Sequence, residues 1–245
     1  MRPIFQPSRF SLLLLLALTA CEETQPPNRE GRIVSIPEAS GISYCHNSET
    51  LMVANDEGSF YEITPDGAIL SQHKLGNHDL EGVVCEEESI IFAVEDGALI
   101  EVDRETFQLK ELKIKGKKFK FSKKSGIEGI TKIGDKYYLS IQAKEKKDAK
   151  LLVIEKGVNY AKIVKIIDHG IIDSAGMEYH NKKLYIVSDK KDKLYLYNLK
   201  KNSIQKSVKL PKFAQEGVTF DKQGNIYFAD DDGAVMKYRL KTLGL

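Results

Sequence analysis

The chain has 245 residues, 42% apolar and 29% charged, with 37 Lys and Arg against 35 Asp and Glu. This is ordinary globular composition, and it excludes disordered, collagen-like and disulfide-scaffold classes. The near-neutral balance gives no electrostatic footprint for nucleic acid, and no nucleic-acid partner is expected.

The first predicted element is an apolar run at 11–20 (SLLLLLALTA) behind Arg2 and Arg9. It is about half of the roughly 20 residues that a membrane-spanning helix needs, so it reads as an export signal. It ends in Leu18-Thr19-Ala20-Cys21, which resembles a bacterial lipobox, with cleavage before a Cys21 that carries the lipid. Residues 1–20 are therefore expected to be a lipoprotein signal peptide and 21–30 (CEETQPPNRE) a polar, proline-containing tether anchored at Cys21. Residues 31–245 form the domain. Without 1–20 the balance is 35 against 35. Glu22 follows the lipid-bearing position, and by resemblance to known lipoprotein sorting it favours the outer membrane or the periplasmic face of a bacterial envelope. A monomer is expected.

Five segments each carry a glycine at the start of a short apolar run: EASGISYC (38–45), DLEGVVCE (79–86), GIEGITKI (126–133), DSAGMEYH (173–180) and AQEGVTFD (214–221). The marker glycines are Gly41, Gly82, Gly129, Gly176 and Gly217. Each run is followed by two further β-branched and aromatic runs separated by Asp, Gly, Asn and Lys turns, such as LMVAND (51–56) and FYEIT (60–64). A fourth strand is expected at 68–75, 107–115, 161–168 and 203–210. The fifth unit lacks one, and the segment GRIVSIPE (31–38) is expected to supply it. The 215 residues from 31 to 245 divided by five give 43 per unit, within the ~40–45 typical of a four-stranded blade. The fold expected is all-β, a five-bladed β-propeller of four-stranded antiparallel blades, closed by the N-terminal strand pairing with the last blade. Six blades, one of them degenerate within 104–125, is the alternative.

The repeats E-x-S-G-I, D-L-E-G-V and G-I-E-G-I, each followed by an apolar strand ending in N-D, E-D, S-D or A-D, resemble the bacterial SdiA-regulated domain family over essentially all of the domain. That resemblance implies a five-bladed propeller with a bound calcium ion, distantly related to NHL-repeat propellers. Ser40 and Ala175 stand where other units carry Glu, so five equivalent ligands are not implied.

In a propeller the loop entering each first strand opens on the same face as the loop leaving each second strand. Glu81, Glu128 and Glu216 should thus ring one channel mouth together with Asp79 and Asp173, and the second strands should deliver Asp56, Asp96, Gln142, Asp189 and Asp230 there. Three converging glutamates repel one another by several kcal/mol at low dielectric, so protons or a cation must compensate. Ca²⁺ suits such an oxygen-rich, irregular set, and no clustered thiolates or histidines compete for zinc. Glu81, Glu128 and Glu216 are the expected direct ligands, with Asp79 and Asp173 contributing. Asp56, Asp96, Asp189 and Asp230 also read as ordinary turn residues.

Cys45 and Cys85 are expected to be buried free thiols, because neighbouring blades hold their inner strands apart. The Lys-rich stretch KIKGKKFKFSKK (113–124) reads as an outer strand whose lysines block edge pairing, or as a contact for anionic headgroups or an anionic polymer. The function expected is a lipid-anchored binding or scaffold module for a small molecule or envelope partner. The alternative is a calcium-dependent hydrolase of an ester, lactone or phosphoester, with His78 or His169 as base.

Overall fold

The structure is a computed structural model that describes residues 30–116, 119–122 and 125–245. The expected signal peptide, Cys21 and the tether up to Arg29 lie outside the described residues. Among those described, no helix is long and apolar enough to cross a membrane.

The chain enters through the short strand β1 (Arg32–Val34) and then lays down four strands for each of the first four marker glycines and three for the last. The first unit is β2 (Ala39–Cys45), β3 (Thr50–Asn55), β4 (Ser59–Ile63) and β5 (Ile69–Lys74); the second is β6 (Leu80–Cys85), β7 (Ser89–Val94), β8 (Ala98–Asp103) and β9 (Leu109–Lys115). The third is β10 (Ile127–Ile133), β11 (Lys136–Ile141), β12 (Lys150–Lys156) and β13 (Ala161–Asp168). The fourth is β14 (Ser174–His180), β15 (Lys183–Ser188), β16 (Lys193–Asn198) and β17 (Ser203–Lys209). The last has β18 (Gln215–Phe220), β19 (Asn225–Asp230) and β20 (Ala234–Arg239), and β1 pairs antiparallel with β20.

Strand position within a unit follows composition. The second strands β3 and β19 are buried at every residue and read as continuous apolar runs, as strands covered on both faces must. The fourth strand β17 (SIQKSVK) is exposed at all but one position. Five apolar clusters form the core, and each lies between two consecutive units. One joins the last unit to the first through Tyr227, Ala229 and Val235 against Ile42, Leu51 and Val53. The architecture is all-β and propeller-like.

The innermost strands β2, β6, β10, β14 and β18 touch their neighbours around a common axis, and the marker glycines are the points of contact. A Cβ on Gly41 would fall 2.6 Å from Gly82 Cα, one on Gly129 2.7 Å from Ala175 O, one on Gly176 2.6 Å from Gly217 Cα, and one on Gly217 2.9 Å from Ile42 N. These glycines are needed for close backbone approach, since none of the five has a positive φ. The space they enclose is about 10 Å³, room for one water at most. Replacing Gly176 with Ala should destabilise the chain by about 1–3 kcal/mol through backbone crowding, read as a fall in the urea midpoint with unchanged slope. Hydroxyls tie the far ends of the inner strands together: Ser43 Oγ accepts from Cys85 N–H (3.1 Å), Thr131 Oγ1 from Tyr179 N–H (3.0 Å) and Thr219 Oγ1 from Tyr44 N–H (3.0 Å).

Three expectations need correction. Cys45 and Cys85 are not free thiols; they form a disulfide between β2 and β6 with Cα atoms 5.2 Å apart. The glycine contacts bring these strands within bridging distance, whereas the expectation assumed that adjacent inner strands stay apart. The Lys-rich stretch is not one outer strand. β9 stops at Lys115, and beyond it Phe119 and Phe121 fold back onto the core between the second and third units. The units are also not all separate sheets. β9 pairs in parallel with β13 at Ile114–Ala161 and Lys115–Lys162, which merges units two and three into one eight-stranded sheet and covers part of the β9 edge.

Candidate metal centre at the acidic channel mouth

Each innermost strand is irregular at the same place. The register between first and second strands slips between Ala39 and Gly41, Leu80 and Gly82, Ile127 and Gly129, Ser174 and Met177, and Gln215 and Gly217. A bulge sets two residues against one and re-aims the extra side chain. Four of the residues so placed are Ser40, Glu81, Glu128 and Glu216. The bulge therefore carries the marker acids to one end of the axis around which the inner strands pack.

The ladder also fixes which second-strand residues reach that mouth. Gly41 faces Ala54, Gly82 faces Ala93, Gly129 faces Ser140 and Gly217 faces Ala229. Two residues further along lie Asp56, Glu95, Gln142 and Asp231, with Asp189 the counterpart in the fourth unit. The expected Asp96 and Asp230 are thus each displaced by one residue, and side chains alternate faces along a strand. Asp96 is exposed, and the Asp230 carboxylate serves the turn, accepting from the N–H groups of Ala214 (3.0 Å) and Asp232 (3.3 Å). Glu95 and Asp231 carry no repeat signature and were missed in the sequence; only the slip reveals them.

One oxygen from each of Asp56, Asp79 and Glu81 lies within 4.8 Å of the others. Burial is the main cause of the raised carboxyl pKa values here, and neighbouring acids add to it. Glu81 is pushed up to about 11, with Glu128, Asp56, Asp79 and Glu216 as contributing charges. Glu216 rises to about 9, helped by Glu128, Asp189, Asp231 and Asp173. Glu128 rises to about 8, helped by Glu95, Asp173, Asp56 and Asp79. Asp56 rises to about 7, helped by Asp231, Asp79 and Glu38. The glutamates thus lie close enough for Glu128 to oppose the ionisation of both Glu81 and Glu216, while the oxygens brought within 4.8 Å of one another are those of Asp56, Asp79 and Glu81. Asp56 Oδ1 and Glu128 Oε1 are shut off from solvent with no hydrogen-bond partner among the described residues.

Asp79 is exposed beside this group. Asp173 sits at its margin and is already engaged, accepting from Lys190 Nζ (2.6 Å) and Lys190 N–H (2.8 Å). Asp56 joins the acids because Asn55 takes the turn role instead, its Oδ1 accepting from Ser59 N–H at 2.8 Å. The two candidate bases separate. His78 lines a cavity of about 500 Å³ with Asp56, Glu57, Lys74, Asn77 and Asp79. His169 is buried elsewhere: its Nδ1 accepts from Ile171 N–H (3.2 Å), burial pushes its pKa down to about 4, and Asp168 and Lys150 are the charges beside it.

No curated protein of similar sequence was found. Among solved structures, the chain is similar to the glutaminyl cyclase of Myxococcus xanthus at a TM-score of 0.67 and 12% identity, covering 86% of this chain and 94% of that one. It is also similar to a streptogramin B lyase at a TM-score of 0.50 and 11% identity, covering 86% and 72%. At such identity the likeness shows a shared propeller-like fold and nothing of activity. The model of the SdiA-regulated family matches residues 32–232, which span all but the ends of the five repeats. With the repeats, the fold and this match in agreement, the chain belongs to the SdiA-regulated family.

Proposed function

We propose that this chain is a calcium-binding lipoprotein of the bacterial cell envelope, lipid-anchored at Cys21, whose domain is a five-bladed propeller closed by β1 on β20 and acts as a binding or scaffold module. The five inter-unit cores and the ring of glycine contacts support the blade count.

A single observation carries the cation. Asp56 Oδ1 and Glu128 Oε1 are buried acceptors with no hydrogen-bond partner among the described residues, inside a group of acids that oppose one another's ionisation. A buried acceptor left unsatisfied costs about 1–3 kcal/mol, more when charged, and a bound cation removes that cost together with the repulsion. The donors are all carboxylate oxygens, which suits a hard ion, and Ca²⁺ accepts six to eight oxygens in irregular arrangements. Asp56, Asp79, Glu81, Glu128 and Glu216 would hold it, with Asp173 occupied by Lys190. When bound, the ion supplies fixed positive charge at the mouth. The chain's own part is to hold these acids buried and convergent, and the bulges do so on rigid strands. The ligand or partner then meets the acidic face.

Thermal melting with calcium and with EDTA at pH 7.5 tests this. Saturation at about 100 times Kd stabilises by about 2.7 kcal/mol, a Tm gain of roughly 5–10 °C for a domain of this size. Glu128→Gln should lose most of that gain. An unchanged Tm in the parent protein, or an undiminished gain in the variant, would overturn the reading.

One observation favours a second reading, a calcium-dependent hydrolase. The cavity beside Asp56 and Asp79 is large enough for a small ester or lactone and contains His78 as a candidate base. Panels of esters, lactones and phosphoesters, run with calcium and with EDTA, decide it; no calcium-dependent turnover, or turnover undiminished in His78→Gln, removes the hydrolase.

A further inference from the structure

The Lys-rich segment takes no part in the acidic mouth, yet its surroundings are organised. β9 and β13 touch at only two residue pairs and then diverge, leaving a groove on the side wall of units two and three. The groove is lined by Lys115, Gly116, Tyr160 and 162–166. Its floor is apolar: Ile163 and Ile166 are partly buried on the adjacent core, while Val164 and Tyr160 remain exposed, Tyr160 at 45%. Val158, in the turn leading into β13, is 76% exposed. Lysines form the rim. Lys115 Nζ lies 4.9 Å from the centre of the Tyr160 ring, and Lys162 and Lys165 project from β13. None of these three lysines has a carboxylate partner among the described residues, whereas Lys132, Lys136, Lys150 and Lys156 in the same unit are all ion-paired.

We propose that this groove is a docking surface for a membrane bearing anionic phospholipid headgroups, with the lysine rim on phosphates and Tyr160, Val158 and Val164 at the level of the acyl boundary. Unpaired lysines around an apolar floor match the layering of such a surface, where charge lies outermost and hydrocarbon beneath. Each lysine near an anionic leaflet contributes about fivefold to partitioning, and aromatic rings favour the headgroup level. This surface is separate from the acidic mouth, and its binding requires neither the metal nor the lipid on Cys21.

The test uses the chain from residue 21 onward carrying Cys21→Ser, so that neither the apolar run at 11–20 nor a lipid contributes, in cosedimentation with vesicles of phosphatidylcholine alone or with phosphatidylglycerol added. Binding is expected only with phosphatidylglycerol, falling as salt is raised. Lys115→Gln, Lys162→Gln and Lys165→Gln together should weaken it about 100-fold. The same charge change at the exposed Lys200, Lys201 and Lys209 should alter it less than about threefold. The chain contains no Trp, so Val158→Trp is a single reporter whose emission should shift to the blue on anionic vesicles. Equal binding to both vesicle types, equal loss in the two triple variants, or an unshifted reporter would overturn the proposal. So would concentration-dependent dimerisation that is abolished by Tyr160→Ser, which would assign the groove to a second copy of the chain. Loss of the calcium response in Glu128→Gln with vesicle binding intact would leave this proposal standing, since the two surfaces are independent.

Discussion

In EDTA the Tm should fall as pH rises from 5 to 8, and saturating calcium should abolish most of the fall. In the unfolded chain the mouth carboxyls titrate near 4. In the folded, metal-free chain they keep their protons to about pH 7 at Asp56, 8 at Glu128, 9 at Glu216 and 11 at Glu81. Below about pH 4 both states are protonated and the groups contribute nothing. Above it the unfolded chain releases protons that the folded chain retains. Each such group then lowers stability by up to about 1.4 kcal/mol per pH unit until its folded pKa is passed. The opposite trend from carboxylates held below their usual range, such as Asp221, is complete by about pH 5; buried His169, with its pKa near 4, adds a rise of stability between pH 5 and about 7 that offsets part of the fall without matching that of four carboxyls.

A total fall of about 5–15 °C is expected, since the groups share one site and their effects do not add in full. Calcium binds the ionised form, so its stabilisation grows with pH. Glu81→Gln separates this from any general alkaline loss. It removes the carboxyl most opposed to ionisation while keeping its shape, so at pH 8 in EDTA the variant should melt higher than the parent and respond less to calcium. An EDTA melting temperature that is flat or rising between pH 5 and 8, or a Glu81→Gln variant that melts lower there, would show that the acids do not oppose one another.

Removing the Cys45–Cys85 bridge should lower stability by about 2–4 kcal/mol, or a Tm loss of roughly 5–15 °C. The bond closes a sequence separation of 40 and joins the innermost strands of the first two units, where Cys45 is buried among Met52, Phe60 and Phe92. Cys45→Ala with Cys85→Ala is the appropriate variant, because it leaves no new polar group in that core. A phosphine reductant should reproduce the loss in the parent protein and leave the variant unaffected. Native protein that reacts with an alkylating reagent at both cysteines, without reductant and without a change in Tm, would refute the bridge. A structural disulfide persists in an oxidising compartment, which is consistent with the proposed place in a cell envelope.

Both predictions depend on features that differ in how far they could be read in advance. The marker repeat located every first strand, and the fourth strands at 68–75, 161–168 and 203–210 match β5, β13 and β17 to within a residue or two. The pairing of 31–38 with the last unit was legible because that unit lacks a strand of its own. The three glutamates were legible because Glu seldom has a reason to precede a turn glycine three times over. Asp56 was placed at the mouth but also read as a turn residue; the structure gives the turn to Asn55. The sequence points to Asp96, one residue past Glu95, and to Asp230, one residue short of Asp231. The sequence shows where a strand stops but not that its partner is bulged.

By itself, then, the sequence determined the strands, their grouping into units and the acidic character of one end, because these follow from the alternation and composition of segments only five to eight residues long. Tertiary structure alone decided the bridging of Cys45 with Cys85, the folding of Phe119 and Phe121 onto the core, and which acids meet at the mouth. Each of those depends on how closely neighbouring units approach at their glycines, and on a one-residue slip in a ladder. Such distances are set by how all the inner strands pack against one another, and no local stretch of chain encodes them.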